Sequence, residues 1–256
     1  MKPETVAGLN QLNRHFYRVT GAEFSATRKM PWPGWDRVLD RFLATRTRIH
    51  GPDSILDVGC GNGRFAGLLE ARLGNDYRYL GVDSSLTLAA IARAGARRSH
   101  RLAAADVVIG APALRRRSGG FDLVVAFGLF HHVPSWERRR SLLVDLAGHL
   151  AAGGILAVSF WQFATEERFA GRFADWEAGA AFAEVSIDRT DLERGDHLLQ
   201  WGDGEAVRYC HNVDLIEAAE LTAASGLERV ETFRSDGGNG RLNLYHLLRQ
   251  RRVDGA

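Results

Sequence analysis

The chain has 256 residues, 33 basic and 31 acidic side chains, a net charge of +2 and 45% hydrophobic residues. That composition suits one globular α/β chain and excludes wholesale disorder or a strongly basic nucleic-acid-coating module. Cys60 and Cys210 do not make a disulfide framework, no apolar run reaches the ~18 residues that span a bilayer, and no signal core follows Met1, so a cytoplasmic protein without membrane contact is expected.

Residues Val6 to Val19 carry a helical pattern that runs into Thr20-Gly21. After the breaker Pro31-Trp32-Pro33-Gly34, apolar residues recur at Trp35, Val38, Leu39, Phe42 and Leu43, the spacing of one helix face launched by a proline. Short apolar runs then alternate with helical segments. Strands are expected at Ile55 to Val58, Tyr79 to Val82, Arg101 to Ala104, Phe121 to Phe127 and Ile155 to Phe160. Helices are expected at Phe65 to Leu73, at Leu86 to Ala94 and through Leu142, Leu143, Leu146 and Leu150, the last stopped by Gly153-Gly154. Such alternation predicts a mostly parallel sheet with helices on both faces. Residues 164–204 change character, with charged helical composition and then loop signals at Asp188 to Asp191 and Arg194-Gly195-Asp196. A strand near Val207 to His211, a helix from Asp214 to Ala224, and strands at Leu227 to Phe233 and Leu242 to Leu248 close the chain, the last two joined by the turn signal Asp236 to Gly240. The expected organisation is one domain over 1–256, divided into an N-terminal cap (1–50), a ligand-binding core (51–163), an insertion or lid (164–206) and a C-terminal strand-helix-hairpin unit (207–256).

Gly59, Gly61 and Gly63 follow a strand and precede a helix, where glycine lets the backbone turn and approach a ligand. Their Gly-x-Gly-x-Gly spacing differs from the dinucleotide fingerprint, and no Gly-Lys-Ser/Thr follows for a phosphate loop. The next strand ends in Asp83, twenty residues past Gly63, where a carboxylate accepts bonds from both ribose hydroxyls. Asp106 follows the third strand, within reach of an adenine amino group. Loop and acids therefore fall at the carboxyl ends of successive strands, the crevice where open α/β sheets bind ligands.

Ile55-Leu56-Asp57-Val58-Gly59-Cys60-Gly61-Asn62-Gly63 resembles the first motif of class I methyltransferases. The resemblance implies a Rossmann-like fold of seven strands, mostly parallel with the last antiparallel, and S-adenosylmethionine as cofactor, leaving S-adenosylhomocysteine. It implies cofactor contacts from Asp57, Gly59, Cys60, Gly61, Gly63, Asp83, Ser84, Ala105, Asp106, Phe127 and Leu129, and no metal. The segment Phe127 to Pro134 lacks the Asn/Asp-Pro-Pro-Tyr motif of adenine and glutamine amino methyltransferases. Outside the core, Phe24 to Pro33, His131-His132, Arg138 to Arg140, Trp161-Gln162, Arg208-Tyr209-Cys210-His211 and Asp236 to Gly240 resemble the tRNA wobble-uridine carboxyl methyltransferase family, which esterifies 5-carboxymethyluridine. The fit is patchy over 164–204, and Cys210 stands where that family has an aromatic residue.

The resemblance implies a tRNA anticodon loop as partner and, from eukaryotic members, a small adaptor subunit. It makes Arg208, Tyr209 and His211 the holders of an anionic substrate and points His131 toward the transferred methyl. Arg28 is a candidate for the cofactor's carboxylate tail and Trp32 for closure over a ring, with a core role for Trp32 as the alternative. A carboxylate acceptor is already ionised at neutral pH, so an absent acid/base constellation agrees with this chemistry. The alternatives are a small-molecule carboxyl or hydroxyl O-methyltransferase and a non-catalytic cofactor-binding adaptor. Arginines at 97, 98 and 101, at 115–117 and at 138–140 read as solvated faces or as phosphate contacts. Adjacent His131 and His132 make a poor metal pair on extended backbone.

Overall fold

A computed structural model describes residues 1–46, 51–108, 117–204 and 206–251, so Arg115 and Arg116 of the basic clusters lie outside the described residues. Helix α1 (Pro3–Ala26) starts at a proline and buries Val6, Leu9, Leu12 and Phe16 along one face. It does not stop at Thr20-Gly21 as expected. The Thr20 hydroxyl donates back to the Phe16 carbonyl at 2.8 Å, and a Cβ on Gly21 would lie 3.3 Å from Thr87, so the glycine serves close helix approach rather than termination. Helix α2 (Pro33–Thr45) buries Trp35, Val38, Leu39 and Phe42, the periodicity read from the sequence.

The central sheet contains β1 (Asp53–Val58), β2 (Tyr77–Asp83), β3 (His100–Ala104), β4 (Phe121–Ala126), β5 (Leu150–Trp161), β9 (Glu228–Ser235) and β10 (Asn243–Arg249), in spatial order β3-β2-β1-β4-β5-β10-β9. Pairs among β1 to β5 are parallel, and β10 runs antiparallel to both its neighbours. Helices α3 (Arg64–Leu73), α4 (Leu86–Ala94), α5 (Trp136–Ala147) and α7 (Leu215–Ala224) connect these strands. Alternate residues of a strand face opposite sides. Leu56 and Val58 therefore join a core with Leu142 and Leu146 of α5 and Leu221 of α7, while Ile55 joins a second core with Val38 of α2 and Leu69 of α3.

The Gly153-Gly154 pair also differs from expectation. Helix α5 ends at Ala147, and β5 already begins at Leu150, with an irregular register against Phe121 and Leu123. A Cβ on Gly154 would lie 2.7 Å from the Phe121 carbonyl oxygen, so this pair permits a bulge beside β4. In the 164–204 segment, β6 (Phe173–Ala174), α6 (Trp176–Ala183) and β7 (Asp196–Trp201) form, and β7 occupies a stretch expected to begin as loop. Strand β8 (Ala206–His211) pairs antiparallel with β7, not with the central sheet. The second sheet packs on α1 through Leu9, Leu12, Leu198, Val207 and Tyr209. Among the described residues no helix is long and apolar enough to cross a membrane.

One carboxylate joins three of these pieces. Asp236, 3% exposed, accepts from the Gly34 amide at 2.8 Å, the Asn243 side-chain amide at 2.8 Å and the Tyr245 hydroxyl at 2.5 Å. Asp236→Ala leaves three buried donors without an acceptor and is expected to cost roughly 2–4 kcal/mol. Urea denaturation measures this, and a loss below about 0.5 kcal/mol, the range of ordinary surface substitutions, contradicts it.

Candidate active site

The glycine loop leaves the tip of β1 and folds over β2. The amides of Gly59 and Cys60 donate to the Val82 carbonyl, and Gly61 donates to Asp83 Oδ2 at 2.8 Å. Gly59 and Gly61 have φ of 79° and 54°, the left-handed region that favours glycine. A Cβ on Gly61 would meet nothing within 4 Å, whereas one on Gly63 would lie 3.2 Å from Ala92. Gly63 thus serves the packing of α3 on α4 and does not line the cavity. Asn62, missed in the sequence reading, donates to Ser25 Oγ at 3.0 Å and to the Arg28 carbonyl at 3.1 Å, tying the end of α1 to the loop. A polar side chain inside the glycine loop was its signal.

A cavity of about 900 Å³ opens at the carboxyl ends of β1, β2 and β4. Arg28, Trp32, Asp57, Gly59, Cys60, Gly61, Asp83, Ser84, Asp106, Phe127, Leu129, His131 and Arg208 all line it. Asp57 accepts from the Tyr79 hydroxyl at 2.7 Å; burial pushes its carboxyl up to about 7, with the Tyr79 bond acting against the rise. Burial also raises Asp83, opposed by the amides of Ser85 and Gly61. Asp106 carries an ion pair to Arg14 Nε at 3.0 Å and accepts from the Val108 amide. Ala105 does not line the cavity; its amide donates to the Asp83 carbonyl. Trp32 lies over Gly128, where a Cβ would come within 3.1 Å of its ring, while Trp35 is core and stacks on Phe127 at 5.6 Å.

The opposite end is basic and aromatic. Arg208 is 7% exposed, its Nε has no hydrogen-bond partner among the described residues, and its guanidinium lies 5.2–5.5 Å from the rings of Phe16, Phe24 and Trp161. Arg28 stacks on Phe24 at 3.5 Å and donates to Thr27 Oγ1; burial and then Arg208 push it down to about 10, still protonated at neutral pH. His131 packs on Trp161 at 4.9 Å with Nδ1 unpartnered, and burial, then His132 and the two arginines, holds it well below the imidazole range. His132 is bonded by the Tyr17 hydroxyl at 2.8 Å and contacts Asn13 and the Tyr209 carbonyl, and burial lowers it to about 3. Both imidazoles are neutral at pH 7.

Tyr209 and His211 are not in this cavity. Strand alternation sends Arg208 and Cys210 to one face and Tyr209 and His211 to the other. There the Tyr209 hydroxyl donates to Asp196 at 2.7 Å, and His211 sits between Asp196 (2.7 Å) and Glu217 (2.8 Å). Arg139, expected on a solvated face, is 1% exposed and joins this cluster, bonding Glu217 at 2.6 Å, Glu193 at 2.5 Å and the Val133 carbonyl at 2.9 Å. The cluster clamps β7 and β8 to α5 and α7.

Residues 56–156 match the family described as a methyltransferase domain. The chain is 29% identical over 172 residues to a mouse tRNA (carboxymethyluridine(34)-5-O)-methyltransferase, covering 67% of this chain and 23% of that one. It is 32% identical over 145 residues to the Saccharomyces cerevisiae protein of the same description, covering 57% and 46%. It thus spans about a quarter to a half of the length of these two relatives. A putative methyltransferase of Encephalitozoon cuniculi is 32% identical over 184 residues, covering 72% and 78%. Among solved structures, an S-adenosylmethionine-dependent methyltransferase of Methanosarcina mazei superposes with a TM-score of 0.61 at 15% identity, over 87% of this chain and all of that one. A Haloferax volcanii putative methyltransferase, solved in complex with the Trm112 activator, superposes at 0.57 with 14% identity, over 95% and 99%.

The clamp makes stability depend on pH in two directions. Burial disfavours the His211 charge, but the bonds to Asp196 and Glu217 outweigh it and raise His211 above its ordinary range. Its contribution is full below the unfolded imidazole range and is lost as pH rises through the raised value. Asp196 and Glu217 are also opposed by burial, yet the His211 bond leaves both lowered. Their contribution is full above the unfolded carboxylate range and is lost as pH falls. The thermal midpoint should therefore peak between these ranges, and His211→Gln should remove the decline on the alkaline side. An unchanged alkaline limb in the variant refutes this. Arg139→Ala, which takes the guanidinium from Glu193 and Glu217, is expected to cost about 3 kcal/mol by denaturant titration.

Proposed function

The chain belongs to the class I S-adenosylmethionine-dependent methyltransferases, and from that membership we propose that it methylates the carboxylate of a modified wobble uridine in tRNA. The observation that carries this reading is Arg208, a buried guanidinium on the cavity wall with no acidic partner among the described residues. Burying a charge without a counter-charge is costly, so the site favours an incoming anion. A planar fork of donors matches a carboxylate. The printed descriptions of the mouse and yeast relatives supply the acceptor's identity in this proposal.

The residues present fit the donor. Asp83, held by the Gly61 and Ser85 amides, keeps lone pairs for ribose hydroxyls. The open space over Gly61 admits a ligand backbone, Asp106 stands on the adenine side, and Arg28 takes the carboxylate tail. When bound, S-adenosylmethionine supplies an electrophilic methyl on a sulfonium. An acceptor oxygen attacking that methyl in line would form the ester O–C bond as the S–C bond breaks, with S-adenosylhomocysteine leaving as the neutral thioether and no proton transferred. Arg208 orients the carboxylate, and the neutral pair His131 and His132 walls the site without adding charge. Cation and anion neutralise each other during transfer, so a water-poor cavity favours the step beyond positioning. A small activator subunit belongs to the same reading, as accompanies the Haloferax chain.

A small free acid is the second reading, favoured by the depth of Arg208. Incubation with labelled S-adenosylmethionine and total tRNA should place base-labile label in tRNA; label only in small-molecule extracts moves the assignment to the second reading. Arg208→Ala should lower kcat/KM about 10- to 100-fold, equivalent to the ~1.5–3 kcal/mol of a hydrogen bond to a charged group. Asp83→Ala should abolish donor binding by calorimetry with an unchanged circular dichroism spectrum, and retained binding removes the ribose assignment.

A further inference from the structure

Among the described residues seven arginines line the cavity. Four have polar partners: Arg14 pairs with Asp106, Arg18 with His15, Arg28 with Thr27 and the Phe24 carbonyl, and Arg64 with the Met30 carbonyl. Arg168, Arg172 and Arg208 have no hydrogen bond or ion pair among the described residues. Two of them, Arg208 and Arg168, are linked by a ladder of rings. The Arg208 guanidinium lies 5.2 Å from Trp161, Trp161 meets Phe169 edge-on at 5.1 Å, and Arg168 covers Phe169 at 4.6 Å. Arg208 is the buried foot of the ladder and Arg168 its exposed top; Arg172, also exposed and on the cavity lining, ends the same short 3-10 helix, Glu167–Arg172. That helix is secured by Glu166, which accepts from the Asn239 side chain in the hairpin turn.

A ligand spanning this ladder needs an anion at the foot, a flat face along the rings and a second anion at the top. A nucleotide within a strand has all three when its base bears a carboxylate arm, because bases stack on aromatic side chains and a phosphodiester lies at the sugar. A small free acid leaves the upper pair of arginines without a purpose. Resting on the carboxylate-acceptor reading above, we propose that Arg168 and Arg172 form an anion subsite at the cavity mouth that takes a phosphodiester of the RNA strand bearing the modified base. The 164–204 segment thereby acts at the mouth: Arg208 of β8 selects the carboxylate, and the mouth selects a strand over a free nucleoside.

The test compares two acceptors, 5-carboxymethyluridine as the nucleoside and an anticodon stem-loop carrying it, over 50 to 300 mM salt. Arg168→Ala/Arg172→Ala should raise KM for the stem-loop at least about tenfold and flatten its dependence on log salt by about 0.7 per lost phosphate contact. The KM for the nucleoside and both kcat values should stay unchanged, and Arg168→Lys/Arg172→Lys should restore most of the salt slope. Equal changes for both acceptors, or none for either, overturn the proposal. Fluorescence anisotropy with an unmodified stem-loop needs no turnover and separates the two readings. Salt-dependent binding through the two arginines without methylation of the modified RNA sinks the acceptor assignment and leaves the mouth site standing. Methylation with an unaltered double variant sinks the mouth site alone, and salt-independent or absent binding of both RNAs also overturns it.

Discussion

A buried arginine with no carboxylate beside it among the described residues organises this molecule. Burying the guanidinium of Arg208 carries a desolvation cost that no facing carboxylate among the described residues offsets. Its position must therefore be imposed by its surroundings, and β8 supplies that through alternation. One face carries Arg208 into the cavity among Phe16, Phe24 and Trp161, whose ring faces attract a cation weakly. The other face carries Tyr209 and His211 into a closed set of charged hydrogen bonds with Asp196, Glu217 and, through Glu217, Arg139. A buried ionic cluster is weak evidence of net stabilisation, since hydrophobic residues of like volume often do as well. What it provides is geometry: the bonds fix the register of β7 and β8 against the helices that flank the central sheet.

The cavity is polarised along its length. The glycine-loop end holds Asp57, Asp83 and Asp106; the β8 end holds Arg28, Arg208, Arg168 and Arg172. Asp57 and Asp83 are both raised by burial, so a cationic group arriving there is met by carboxylates that gain stability on ionising. At the other end the imidazoles of His131 and His132 are held neutral, and fixed positive charge comes from guanidinium groups alone. Such a gradient draws positive charge to the glycine-loop end and negative charge to the β8 end.

Much of the central sheet was legible because its signals are local. Tyr79 to Val82 and Phe121 to Phe127 are apolar runs bounded by turn residues, and the three glycines sit where a strand hands over to a helix. The acids at strand tips followed from the same spacing. What escaped depends on tertiary contact. The continuation of α1 past Gly21 is set by approach to Thr87, and the Gly153-Gly154 bulge by the Phe121 carbonyl, neither of which is near in sequence. Arg139 lies in a run of three arginines with nothing local to mark it as buried; its partners are 54 and 78 residues away. The grouping of Arg208, Tyr209 and His211 in one site was avoidable, since a strand assignment already separates odd from even positions.

Cys210 shows how far the same alternation reaches. It shares the Arg208 face, packs with Trp161, Phe163, Leu199 and Leu242, and lies close enough to His131 and His132 for three ligand atoms to meet. A soft metal ion there would need a thiolate, yet burial pushes the Cys210 thiol up to about 11, with Arg208 only partly opposing the shift. It would also need an imidazole nitrogen from His132, whose two nitrogens already face Tyr17, Asn13 and the Tyr209 carbonyl. Arg28 and Arg208 both add positive charge around the histidines. The neutral thiol, the occupied imidazole and the two arginines all work against a cation at this spot. The small thiol then has a steric part: it leaves the Trp161 and Phe163 rings in contact at 4.5 Å and Phe169 free to stand against Trp161. A bulkier aromatic at position 210 would compete for that volume, so the cysteine and the ring ladder from β5 belong to one arrangement.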